Sequence, residues 1–248
     1  MRSIIFLAFT TVLSLQISSA QGIKGTAVYK IEVIPQDHFD DLKETNPVQY
    51  KQFTAAAKKL ENEIEQIKFV LSFNETESSY QSEEFLVTGS NTANTFGKVK
   101  GIFYNNQRSG ERLQQVERSG KVFTIQRTLP AWEITSQEKQ IGQFLAKKAI
   151  TFVDNFSAQP DLDEKEKVVA WFTTSVPVQF GPEGFGGLPG LIIELEMAGG
   201  RYYLDSLNFD HKNISIKRPK KQNLITFQEY QEIIQQLNRR YKEFHNLD

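Results

Sequence analysis

From Thr26 to Ile34 apolar and polar residues alternate, with Ala27, Tyr29, Ile31 and Val33 on one side. A period of two predicts a half-buried strand, and Pro35 ends it. Asp37 is placed to cap a short helical turn. Asn46-Pro47 then offers an N-cap and a first helical position. Beyond it Phe53, Ala57, Leu60, Ile64 and Ile67 recur every three or four residues, the stripe of an amphipathic helix laid on a sheet. The period returns to two at Lys68, where Phe69, Leu71 and Phe73 alternate with Val70, Ser72 and Asn74. Residues 88–96, rich in Gly, Ser, Asn and Thr, read as a loop. A strand follows over 99–104, and 110–117 with 122–127 form a hairpin around Ser119-Gly120. Leu129-Pro130 marks a bend before Trp132-Glu133-Ile134. Strands are expected over 144–152, where 145–150 would also tolerate a helix, and over 168–174, with a charged loop over 160–167 between them.

The next stretch breaks the pattern. Gly181-Pro182-Glu183-Gly184-Phe185-Gly186-Gly187-Leu188-Pro189-Gly190 holds five glycines and two prolines in ten residues. The apolar run Leu191-Ile192-Ile193-Glu194-Leu195-Glu196-Met197 follows at once. Leu188-Pro189-Gly190-Leu191 fits a type II turn, which predicts a positive φ at Gly190. A phosphate cradle is excluded by detail: no Lys-Ser or Lys-Thr follows, Pro189 stands where a third glycine is needed, and a strand, not a helix, comes next. A tight backbone crossing that feeds a core strand is the better reading. Gly199-Gly200 is a two-residue hairpin loop. In that register Met197 faces Tyr202, Leu195 faces Leu204, Ile193 faces Ser206 and Glu194 faces Asp205. Asn213–Lys217 reads as a last short strand and Arg218-Pro219-Lys220-Lys221 as a basic linker. Thr226 and Glu229 form a capping box. Phe227, Tyr230, Ile233, Ile234, Leu237, Tyr241 and Phe244 then trace one face of a helix over 226–245.

The string Gly187-Leu188-Pro189-Gly190-Leu191-Ile192 resembles the signature of the GLPGLI family, secreted proteins of Bacteroidota. Ala170-Trp171-Phe172-Thr173, Val176-Pro177, Gly181-Pro182 and Phe185 resemble the family pattern before the signature. Trp132-Glu133-Ile134, Ile141 and Lys148-Ala149 fit further back. The resemblance spans roughly 132–197 closely. Many members carry a Cys two residues before the Lys-Ala pair, and this chain has Ala146 there. The resemblance implies an exported domain and no particular reaction.

Composition adds an address. Met1-Arg2, the apolar run Ile4–Leu15 and Ser18-Ser19-Ala20 make a signal peptide over residues 1–20. The run is shorter than a membrane span, and no Cys follows the cleavage site for lipid attachment. The mature chain, residues 21–248, is expected to be one domain without a transmembrane segment, in the periplasm or outside the cell. Loss of Arg2 takes the formal charge from −1 to −2. Near-neutral charge with scattered basic residues argues against nucleic acid as partner. With no Cys there is no disulfide, thiolate site or cysteine nucleophile.

The candidate chemistry is sparse. His38, His211 and His245 lie far apart without zinc-motif spacing. Asp161, Asp163, Glu164 and Glu166 lack the glycine and terminal Glu of a calcium loop. No metal or cofactor is implied. Trp132 and Trp171 are either core packing or a stacking platform for an apolar or sugar ligand. Asp205-Ser206-Leu207 resembles a short O-glycosylation motif, although the register above turns Ser206 inward. The expected fold is α+β: a curved, mainly antiparallel sheet of about eight to ten strands, as a meander or half-open barrel, with both helices packed on it. Two functions fit. One is an exported, non-enzymatic protein that binds an apolar small molecule or an envelope protein. The other is a hydrolase whose convergent carboxylates the sequence does not reveal.

Overall fold

The computed structural model describes residues 22–34, 40–83, 101–118, 120–154, 165–198, 200–209 and 214–245. Side chains of residues 40, 41, 238, 241, 242, 244 and 245 are outside that description. So are the predicted signal peptide, the 88–96 loop, Asp161, Asp163, Glu164, Gly199, and residues 38, 211 and 213.

The elements in chain order are β1 (Gly25–Val33), α1 (Asp40–Thr45), α2 (Pro47–Ile64), β2 (Phe69–Phe73), β3 (Glu77–Ser82), β4 (Ile102–Asn106), β5 (Arg112–Arg118), β6 (Lys121–Gln126), β7 (Glu133–Ile141), β8 (Phe144–Asp154), β9 (Lys165–Thr173), β10 (Leu191–Met197), β11 (Gly200–Asn208), β12 (Leu224–Thr226) and α3 (Phe227–His245). The strands form one open sheet in the order β12-β6-β5-β4-β3-β2-β1-β11-β10-β9-β8-β7. Among the described strand pairs only β12 with β6 is parallel. Two meanders, β1–β6 and β7–β11, therefore meet at β1–β11, where Tyr29 pairs with Leu204 and Ile31 with Tyr202. The fold is α+β, as the alternation implied, with twelve strands among the described residues.

The inner face carries the core: Ala27, Tyr29, Phe69, Leu71, Phe172, Ala170 and Leu195 are all sealed from solvent. Phe69 stacks on Tyr80 with centroids 5.6 Å apart and meets Tyr202 edge-on at the same distance. A satellite cluster of Val116, Ile125 and Tyr230, with Phe123, Ile225, Phe227 and Ile234 against it, docks α3 on β5–β6.

Both helix starts form as their residues predict. Asn46 Oδ1 accepts from Gln49 N–H at 3.2 Å. Thr226 Oγ1 accepts from Glu229 N–H, and the Glu229 carboxylate accepts from Thr226 N–H at 2.7 Å. The α2 stripe is buried only at its far end, through Ile64 and the following Ile67. Phe53 is 39% exposed and Leu60 36%. The helix is held at that end, where it meets β1, and the rest of the stripe stays partly exposed. On α3, Leu237 is 37% exposed, so the anchor is Tyr230.

Three further expectations are corrected. The β10–β11 ladder pairs Met197 with Gly200, Leu195 with Tyr202 and Glu194 with Tyr203. That register is two residues from the expected one. A slip of two keeps every side chain on its own face, so Asp205 is merely displaced from Glu194 and pairs with Lys30 at 2.8 Å instead. Ser206 is exposed. Residues 214–217 are no strand. With 218–221 they form a strap over the outer face: Lys217 N–H donates to Ser79 Oγ at 3.0 Å, and the Lys220 carbonyl accepts from Thr124 Oγ1 at 2.8 Å. Arg218 and Lys221 both grip Glu111 at 2.6 Å.

Candidate functional site

The chain between β9 and β10 leaves the end of β9 and crosses the inner face. It first runs beside the start of β10: Leu191 N–H donates to Val176 O and Ile192 N–H to Phe180 O, both at 3.0 Å. A 3-10 turn, Pro182–Gly184, then reaches over β3 and β4. Asn105 Nδ2 donates to Gly184 O at 3.4 Å. Trp132 holds the return limb, since its Nε1–H donates to Gly186 O at 2.9 Å and its ring packs on Phe185 at 5.9 Å.

Most of the signature residues lie inside the fold. Gly181, Pro182, Phe185, Leu188, Gly190, Leu191 and Ile192 are buried, while Gly187 and Pro189 are exposed. Gly190 does not have a positive φ; within the crossing those conformations fall at Glu183, Gly184 and Gly187. Instead Gly190 N–H donates to Leu188 O at 2.8 Å, an i to i+2 turn centred on Pro189, whose locked φ suits it. Glycine is required at 190 for space: a Cβ there would lie 2.1 Å from Thr173 O.

Trp171 sits half-buried on the outer face of β9. Lys139 Nζ lies 4.3 Å and Lys148 Nζ 5.8 Å from its ring centroid. Lys139 also pairs with Glu194 at 2.8 Å, and Arg201 approaches the same carboxylate at 3.5 Å. The two tryptophans are therefore not brought together; one pins the crossing, the other lies beneath lysines.

Beneath the crossing the structure assembles a group that the sequence did not single out. Strand register carries one transverse row across the inner face: Ser78 pairs with Asn105 and Asn105 with Arg112. Arg127 continues it, donating its N–H to Arg112 O at 3.0 Å. Gln107, two residues beyond Asn105, shares this face. Ser78 and Asn105 are buried, and both arginines are partly so. Burial lowers the pKa of both guanidinium groups, and for Arg127 the nearby Glu183 carboxylate opposes that shift. Arg127 lies 4.1 Å from the Phe227 centroid, so α3 closes that end of the row. Arg112 Nη1 donates to Gly110 O at 3.1 Å. Its Nε, and Gln107 Nε2, are buried without a hydrogen-bond partner among the described residues, as is the Tyr80 hydroxyl one row away. Burial first, and then Glu183, raises the Tyr80 pKa well above the usual phenol value.

Glu183 is buried in the left-handed region, φ 55°, where a non-glycine residue is uncommon. The other buried acid described, Glu194, is on the outer face, so the two do not converge. Among the described residues no three His, Cys, Asp or Glu side chains gather as a metal site. No described helix is long and apolar enough to cross a membrane. An open recess of about 560 Å³, lined by Gly22, Ile23, Lys24, Asn74, Glu75, Thr76 and Arg108, lies at the sheet end next to Gln107, whose N–H donates to Thr76 O.

Residues 153–194, from the end of β8 through the crossing into β10, match a family described as "Protein of unknown function (Porph_ging)". No curated protein matches the chain. Similar solved structures include PNGF-II in the C2 and P21 space groups, each at 13% identity and a TM-score of 0.47. The overlap covers 86% of this chain and 32% and 33% of those chains, so this chain spans about a third of their length. Likeness at that level says nothing of what the chain does.

The row was illegible in sequence because Arg112 and Arg127 stand within the 110–117 and 122–127 hairpin, and Gln107 just before it, with no motif of their own. Their one signal was parity: Arg112 and Arg127 share a face with Val116, Phe123 and Ile125.

Proposed function

We propose that the chain is an exported, non-enzymatic binding protein of GLPGLI type, one mature domain over 21–248, which holds its ligand or envelope partner at the row beneath the crossing. The observation that carries this reading is the pair of buried donors, Arg112 Nε and Gln107 Nε2, that no described residue satisfies. A buried donor left unmade costs about 1–3 kcal/mol, so a fold that keeps two together favours an external acceptor. The match over 153–194 and the leader-like residues 1–20 support export of a Bacteroidota-type domain. The test is native mass spectrometry of the mature protein purified from its own envelope. A stoichiometric adduct that disappears in Arg112→Gln supports the reading; a clean apoprotein mass with no cross-link to an envelope protein refutes it.

The hydrolase alternative has one observation in its favour, the buried Glu183 in left-handed backbone facing Arg127 and Tyr80. A turnover that Glu183→Gln abolishes while the melting temperature holds would select it.

A further inference from the structure

We infer that Arg112, Arg127 and Gln107 form a binding site for a small oxyanion, a carboxylate or phosphate group, on the inner face at the β4–β6 end of the crossing; this rests on the binding reading above.

Arg112 and Arg127 are directly opposed cross-strand neighbours on one face, joined by the Arg127 N–H to Arg112 O bond. Like charges in that position repel, and partial burial deepens the penalty. The protein supplies one visible counter-charge: the Glu183 carboxylate acts on Arg127, whereas Arg112 has no acidic partner among the described residues. Among the described residues, two guanidinium groups against one carboxylate leave one positive charge uncompensated.

Hydrogen bonding gives the same sign independently. Two of the unsatisfied atoms, Arg112 Nε and Gln107 Nε2, are donors that cannot accept, whereas the Tyr80 hydroxyl can do either and the buried Glu183 carboxylate already faces Arg127 and Tyr80. Asn105 already gives one of its two amide N–H groups to Gly184 O. A ligand that completes this site must bring acceptor oxygens and negative charge, which is the description of an oxyanion. Arginine suits the role, because its planar fork presents parallel N–H groups to carboxylate and phosphate alike. Pinned on Phe227, Arg127 loses little further freedom on binding.

The experiment is isothermal titration calorimetry of the mature protein with inorganic phosphate and, separately, acetate, each replacing chloride at constant ionic strength. Saturable binding to one site is expected. Phosphate alone would assign a tetrahedral ligand; acetate alone or both would assign the planar or the shared chemistry. Arg112→Gln should weaken binding about tenfold or more, the worth of one charge-assisted bond. Arg112→Lys should lie between, since it keeps charge and loses the fork. Should Arg112→Gln fail to fold, Gln107→Leu removes a donor without charge and should weaken binding too. Arg218→Gln, on the outer face, should leave it unchanged. The absence of saturable heat with either anion, or equal affinity in Arg112→Gln, overturns the inference. The two readings separate on native mass spectrometry: an uncharged adduct lost in Arg112→Gln sinks the oxyanion and leaves the binding protein standing, and no adduct with no heat sinks both.

Discussion

Replacing Gly190 by alanine tests the crossing most sharply. The added Cβ would sit 2.1 Å from Thr173 O, 2.6 Å from Thr173 C and 3.0 Å from Thr174 N, all backbone atoms. No rotamer change relieves such an overlap. About 1 Å of movement is needed between the end of β9 and the start of β10, where Leu191 pairs with Thr173. Overpacking of this kind costs about 1–3 kcal/mol, and loss of one flanking ladder bond adds roughly 1 kcal/mol. A total of about 2–4 kcal/mol is a large part of the 5–15 kcal/mol typical of a domain. At about 2–4 °C per kcal/mol for a chain this long, the melting temperature should fall by roughly 4–16 °C. Gly110 supplies the contrast: its φ is +73° and a Cβ meets nothing within 4 Å. Gly110→Ala should lose only the left-handed penalty, about 1 kcal/mol. Calorimetric melts of both variants decide the matter. If Gly190→Ala melts within 2 °C of wild type, or less far below it than Gly110→Ala does, the steric account is wrong.

Three further outcomes are expected. The Tyr29 hydroxyl, fully buried, donates to Ile192 O at 2.6 Å, so Tyr29→Phe should destabilise by about 1–3 kcal/mol in denaturant melts; no change would show that the Ile192 carbonyl finds another donor. Tyr230→Ala should cost about 3–5 kcal/mol and expose a dye-binding surface, whereas Leu237→Ala, 37% exposed, should cost about 1 kcal/mol; equal losses would refute the docking described. Lys221 first, then Arg218, holds the Glu111 pKa below its ordinary 4.5. A depressed folded-state value means stabilisation that is complete above the unfolded pKa and fades as pH falls through the folded one. The gap in melting temperature between wild type and Glu111→Gln should therefore be full at neutral pH and close below about pH 4; a gap independent of pH would mean that the strap is not held by charge.

Local chemistry carried most of the fold. The alternation at Ala27, Tyr29 and Ile31, the Asn46 cap and the Thr226–Glu229 box each specify their element through near neighbours, and each forms. What failed was decided at long range. The β10–β11 register was read from two consecutive glycines as a loop, but Gly200 is needed elsewhere: a Cβ on it would lie 3.0 Å from Glu32 O and from the Ile31 side chain. Burial parity is blind to a slip of two, so only the contact with β1 fixes the pairing. Likewise, Leu188-Pro189-Gly190 has the letters of a type II turn, and the approach of β9 sets another geometry. The polar row needed more still, because Arg112 and Arg127 become partly buried only after the crossing passes over them and α3 returns from the far end of the chain.

The seam between β1 and β11 also governs how the chain can assemble. Tyr29 pairs with Phe69 on one side and with Leu204 on the other. The first partner is near in sequence, and the second arrives only when most of the chain exists. Until then β1 offers an open edge flanked by Ala27, Tyr29 and Ile31, a template for wrong pairing. The strap and β12 follow β11 in the chain and so arrive later still. Contacts this remote make folding slow and expose such edges for longer. A molecule with this wiring gains from being kept apart from its copies, and from any guard held on β1, until residues 200–208 are present.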